Sequence, residues 1–158
     1  MSFPDLFMRL LAIALIVHTI AEAYLPEYQK VKPDWRSVVF NRVLFFDNLP
    51  IFIFVIAVGS IGWHWPIVGG ILPAICLTHP LLDHLGLSWK AKKWRPGSYT
   101  GLFLLLPLSI LVYGLGFSHH LIQGYELLIS GAIGLAISIW LFWMVEQESK
   151  NKAKAISQ

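Results

Sequence analysis

Five apolar stretches dominate the hydropathy pattern, each bounded by polar or basic residues. They run from about Leu6 to Leu25, Val38 to Trp63, Ile67 to Leu87, Tyr99 to Leu115 and Tyr125 to Met144. Roughly 20 apolar residues in a helix cross the hydrocarbon of a bilayer. The pattern therefore predicts an all-α membrane protein, a bundle of five transmembrane helices. Residues 1–148 read as a single domain and residues 149–158 as a polar, frayed tail. His64-Trp65-Pro66 predicts a tight turn between antiparallel helices. Pro80, directly after His79, predicts a kink in the third helix. Gly131, Ala132, Gly134 and Ala136 predict a close helix contact on the fifth.

Composition narrows the class. The chain is 56% hydrophobic and only 13% charged, whereas a soluble domain carries about 25% charged residues. Cys76 is the sole cysteine, so an intramolecular disulfide is excluded, and an inert thiol in an apolar run is expected. No Walker, Rossmann or zinc-finger pattern occurs. The basic clusters flank apolar spans, which marks them as topology signals and not as a nucleic-acid surface.

Those clusters also set an orientation. Lys30, Lys32, Arg36 and Arg42 lie between spans 1 and 2 or at the start of span 2. Lys90, Lys92, Lys93 and Arg95 lie between spans 3 and 4, and Lys150, Lys152 and Lys154 follow span 5. With five spans, all of these fall on one side, which the positive-inside rule makes cytoplasmic. The N-terminus is then outside, the C-terminus cytoplasmic, and the inner (plasma) membrane is the expected location. Arg9, the run Leu10–Val17 and Ala21-Glu22-Ala23 also resemble a signal peptide. Cleavage there would invert every later loop against the charge rule, so span 1 is expected to be retained.

Within this frame the polar residues converge in depth. At about 1.5 Å per residue, His79 lies roughly 15 Å and Asp83 roughly 9 Å inside the Trp89 end of span 3. His18 lies about 10 Å inside the Leu25 end of span 1. Ionisable groups in hydrocarbon are expensive and mark function by default. His18 and Glu22 are four residues apart, as are His79 and Asp83, so each pair shares a helix face. His84 lies about 100° beyond Asp83 and flanks that face. Two helices that each present a histidine and a carboxylate resemble the metal sites of helical bundles. Imidazole and carboxylate suit zinc, manganese or iron. They also suit acid–base catalysis. His18, Glu22, His79, Asp83 and His84 are thus the expected ligands or catalytic groups. Asn41, Asp47, Asn48, Arg95 and Tyr99 are the expected substrate contacts. A hydrogen-bonded polar network that only fixes helix packing is the competing reading.

Three pieces carry a family resemblance: His18-Thr19-Ile20-Ala21-Glu22, the Asp83-His84 pair, and Arg95-Pro96-Gly97 followed by Tyr99-Thr100 and LFLLLPLSILVY. Together they resemble bacterial membrane proteins named for an HXXEE motif. The chain departs from the motif at its first glutamate, which is Ala21 here, and retains the second as Glu22. The resemblance implies no settled reaction, but it implies that His18, Glu22 and His84 form one site.

Three functions follow as expectations. The first is a small intramembrane enzyme acting on a lipid or isoprenoid by metal or acid–base chemistry. The second is a proton or ion pathway. Five spans without an inverted repeat would then need a homo-oligomer or a partner. The third is a non-catalytic accessory subunit whose polar cluster is structural.

Overall fold

The computed structural model describes residues 2–24 and 42–156; Asn41 and the loop with Lys30, Lys32 and Arg36 lie outside them. Every described element of secondary structure is helical. Five helices are long and apolar enough to cross a membrane: α1 (Phe3–Tyr24), α2 (Phe45–His64), α3 (Pro66–Lys90), α4 (Ser98–Ser118) and α5 (Gly124–Gln147).

Local chemistry sets the ends of these rods. The Ser2 side chain caps α1 by accepting from the Asp5 backbone N–H at 3.2 Å, and Pro4 occupies the first turn, where its missing N–H is harmless. Between α2 and α3 the expected tight turn is present. Gly62 adopts φ +55°, and Gly69 packs directly on its carbonyl. The helix of α5 continues through the start of the polar tail to Ile156.

Met8, Leu11 and Leu15 of α1 pack with Val55 of α2, Leu72 and Cys76 of α3, and Leu105 and Val112 of α4. α3 packs most extensively on α5, and of the four small residues expected at a close contact only Gly134 makes it, in line with two serines. Ser130, Gly134 and Ser138, spaced by four, are buried. Gly134 lies directly on Ala74, and the Ser138 hydroxyl meets Thr78 at 2.7 Å. Gly131 has no neighbour within 4 Å of where a Cβ would stand, and Ala132 and Ala136 are exposed. The outward faces carry large apolar side chains, among them Phe103 at 73% and Leu128 at 75% exposure. So much bare apolar surface is what lipid, not water, solvates.

Three of the five helices widen into π-helix at one end of the bundle: Ile20–Tyr24 in α1, Pro80–Leu87 in α3 and Gly101–Leu105 in α4. Pro80 has no N–H to continue the α ladder, and α3 widens from that residue onward. Single π turns recur at functional sites. Here all three surround the same group of side chains.

Candidate metal centre

Five polar side chains that the sequence places on α1 and α3 come together at this end of the bundle, and four of them form a compact donor set. His18, Glu22, His79 and His84 each offer one ligand atom, and these atoms lie within 4.8 Å of one another. Glu22 Oε2 is 3.5 Å from His18 Nε2, 3.8 Å from His79 Nε2 and 3.9 Å from His84 Nε2. The Nε2 atoms of His18 and His84 are 3.0 Å apart. The three imidazole rings stand edge to face, with centroids 4.8–5.8 Å apart.

The π turn of α3 explains why both histidines of that helix belong to the set. In an α-helix, residues five apart point about 140° away from each other. In a π-helix the hydrogen bond itself runs over five residues, so His84 comes back into line with His79. Asp83, expected as a ligand at the α-helical spacing of four, is thereby turned aside. It is fully buried, with Oδ2 4.0 Å from His79 Nε2 and Oδ1 3.5 Å from Arg95 Nη1. It approaches the same His79 Nε2 that faces Glu22, yet it stands outside the group of four, between His79 and Arg95. Arg95, expected at a substrate headgroup, is directed to Asp83.

Hydrogen bonds fix the orientation of His18. The Thr100 hydroxyl donates to the Gly97 carbonyl at 2.9 Å. Its oxygen is then the acceptor for His18 Nδ1–H, also at 2.9 Å. The neutral His18 ring consequently carries its lone pair on Nε2, the nitrogen that faces Glu22 and His84. A partner on the far nitrogen is the usual device that sets tautomer and angle in metal-binding histidines. Donors bound to one tetrahedral ion at about 2.0–2.2 Å stand roughly 3.3–3.5 Å apart. Four of the six donor separations, 3.0–3.9 Å, bracket that spacing, and all six lie within 4.8 Å. The chemistry of the set, three imidazoles and one carboxylate, suits zinc, iron or manganese.

The turn before α4 closes over the cluster. Gly97 adopts φ +79°. A Cβ there would lie 2.9 Å from Glu22 Cβ and 3.1 Å from Cε1 of both His18 and His84. A Cβ on Gly101 would lie 2.9 Å from His84 Cδ2. Gly97 and Thr100 fall inside the segment that carries the family resemblance, but spacing alone gives them no role, because their contacts are made across the bundle. Exchanging Thr100 for Val, similar in shape but without the acceptor, is expected to weaken metal binding by about 10–100-fold. Competition with a chromophoric chelator measures this change.

An apolar cavity of about 310 Å³ opens beside the cluster. Glu22, His79 and Asn48 stand at its wall, with Phe54 of α2, Ile75 of α3 and Ile137 of α5. Glu22 is 28% exposed and His79 12%, while His18 and His84 are sealed at 1% and 0%. The accessible side of the donor set thus faces the cavity. Of the other expected substrate contacts, Asp47 is exposed on α2 and Tyr99 is exposed, stacked between Trp94 and Phe103. Neither borders the cavity. Asn41 lies outside the described residues.

Neither the curated proteins nor the solved structures contain a match to this chain. Its sequence does match the family described as "Protein of unknown function with HXXEE motif" over residues 9–112. The matched region takes in all four donors together with Gly97 and Thr100. Of the motif's two glutamates the chain keeps the second, Glu22, the one that meets all three imidazoles. With about two thirds of its 158 residues matched, the chain belongs to the HXXEE family.

Proposed function

We propose that the cluster holds one divalent metal ion and is the reaction centre of a small intramembrane enzyme acting on a lipid or isoprenoid substrate. The observation that carries this reading is the convergence of four donors on a volume of one ion's size, inside the membrane-spanning part of the bundle. Three imidazoles suffice to hold a catalytic ion of this kind. A bound divalent ion supplies Lewis acidity at that place. Glu22, the most exposed of the four donors and the one that three imidazoles can spare, would then be the group that moves a proton at a substrate atom in the cavity. Asp83, which Arg95 holds, adds a second carboxylate beside His79 Nε2. Asn48 is the substrate contact supported by its place on the cavity wall.

The cluster sits beneath the basic turn Lys90–Arg95. With the positive-inside rule, this supports a centre in the cytoplasmic half of the inner (plasma) membrane, an external N-terminus and a cytoplasmic C-terminus. Residues 1–148 are read as one transmembrane domain. Metal analysis of the full chain, purified without chelators, tests the proposal. One equivalent of zinc, iron or manganese per chain is the expected result. A folded protein that neither carries these metals nor takes them up would favour the accessory role, with a purely structural cluster.

A further inference from the structure

The cavity beside Glu22 and His79 has a definite chemical character. Apart from His18, Thr19, Glu22, Asn48 and His79, its described lining is apolar, and it includes no lysine or arginine. A phosphate head would find no lysine or arginine to grip it by charge-assisted hydrogen bonds, and the Glu22 carboxylate offsets part of any positive charge that an ion in the centre would bring. The cavity volume of about 310 Å³ lies at the lower end of the roughly 300–1,000 Å³ typical of ligand sites. That is room for one hydrocarbon chain, not for the two of a phospholipid.

The way in is also visible. α2 and α5 both wall the cavity, and each packs on α3, yet among the described residues they barely touch each other. Among the described residues this leaves a gap between the two helices beside the cavity. Ile53 and Ile56 of α2 and Ile139 and Trp140 of α5, all exposed, belong to these two helices. A ligand reaching the cluster through this gap leaves the membrane interior sideways and never crosses water.

We infer that the cavity is a lateral entry site for a single-chain amphiphile whose head is an uncharged oxygen function, such as a long-chain alcohol or aldehyde. Its chain lies between α2 and α5, and its head meets Glu22, His79 and Asn48. The assignment of a reacting head rests on the metal-centre reading; the chain site itself rests on the cavity.

The test uses the full chain in lipid nanodiscs and two photoreactive probes with the same diazirine-bearing straight chain. One ends in a hydroxyl and the other in a phosphate. Metal content is measured on the same samples. The alcohol probe is expected to label peptides of α2 and α5, and unlabelled alcohol, but not unlabelled alkyl phosphate, is expected to compete. Ile51→Trp and Ile137→Trp, which fill the cavity from opposite walls, should each cut labelling about tenfold, the effect of 1.4 kcal/mol of lost binding. Their metal content should be unchanged. Equal labelling by the phosphate probe, or labelling that survives both substitutions, would overturn the assignment. Specific alcohol labelling of a protein without metal would uphold the chain site and count against the metal centre alone.

Discussion

His84→Ala is expected to empty the centre. The His84 ring is fully buried and its Nε2 lies 3.0 Å from that of His18, on the side of the donor set sealed from the cavity. Four-ligand structural zinc sites bind with about 10–16 kcal/mol. One ligand's share is then roughly 3–4 kcal/mol, or about 10²–10³ in affinity. Chelator competition reads this loss directly. Truncation also leaves a hole, which by itself lowers stability. Free imidazole tests whether the loss arises at this site, because it refills the hole and returns the ligand together. Partial recovery of metal binding with imidazole is the expected result. His119→Ala, which alters an exposed residue beyond the opposite end of α4, should leave metal content unchanged. Equal loss in both variants would show that the metal does not depend on the cluster.

Gly97→Ala is the second large effect, and it is expected from a change of one methyl group. The residue sits at φ +79°, where a non-glycine side chain costs about 1–3 kcal/mol. The new Cβ would also press on Glu22, His18 and His84 at 2.9–3.1 Å. Overpacking of this kind costs a further 1–3 kcal/mol or so. The three groups it would push are those that must converge on one ion. Loss of metal should therefore accompany a lowered thermal transition. Gly114→Ala supplies the comparison, since nothing lies within 4 Å of its Cβ position. In the interior of a helix that exchange is expected to be neutral or mildly stabilising, by up to about 1 kcal/mol. A Gly97→Ala protein with full metal content and unchanged stability would mean that the turn is not seated on the cluster.

Much of this architecture is legible from local rules. Span positions follow from hydropathy, because the bilayer sets a minimum apolar length that Phe3–Tyr24 and the four other helices all satisfy. The His18–Glu22 pair is legible because its spacing of four holds a helix face. The other wall of the site is not legible in the same way. A spacing of four selects Asp83 as the partner of His79, whereas the π turn after Pro80 brings in His84 at a spacing of five. Whether a proline bends, breaks or widens a helix depends on what its neighbours can satisfy, and that information is tertiary. The α3–α5 contact shows the same limit. Small residues on the fifth span are evident, but Ser130, Gly134 and Ser138 form the contact face, and serine does not stand out from composition alone. Gly97 and Thr100 needed the fold, since each touches residues on another helix. Tyr99, expected as a substrate contact, has its ring outside the cavity, against Trp94 and Phe103, and that placement is set by its neighbours in the fold.

X-ray absorption spectroscopy on the metal-loaded full chain tests the central claim most directly. The expected spectrum has a shell of nitrogen and oxygen neighbours at about 2.0–2.2 Å, with outer-ring scattering from three imidazoles. That scattering should diminish by one ring in a His84→Ala sample supplied with excess metal. A spectrum with no imidazole scattering, or with the wild-type ring count retained in His84→Ala, would contradict a metal centre built from His18, Glu22, His79 and His84.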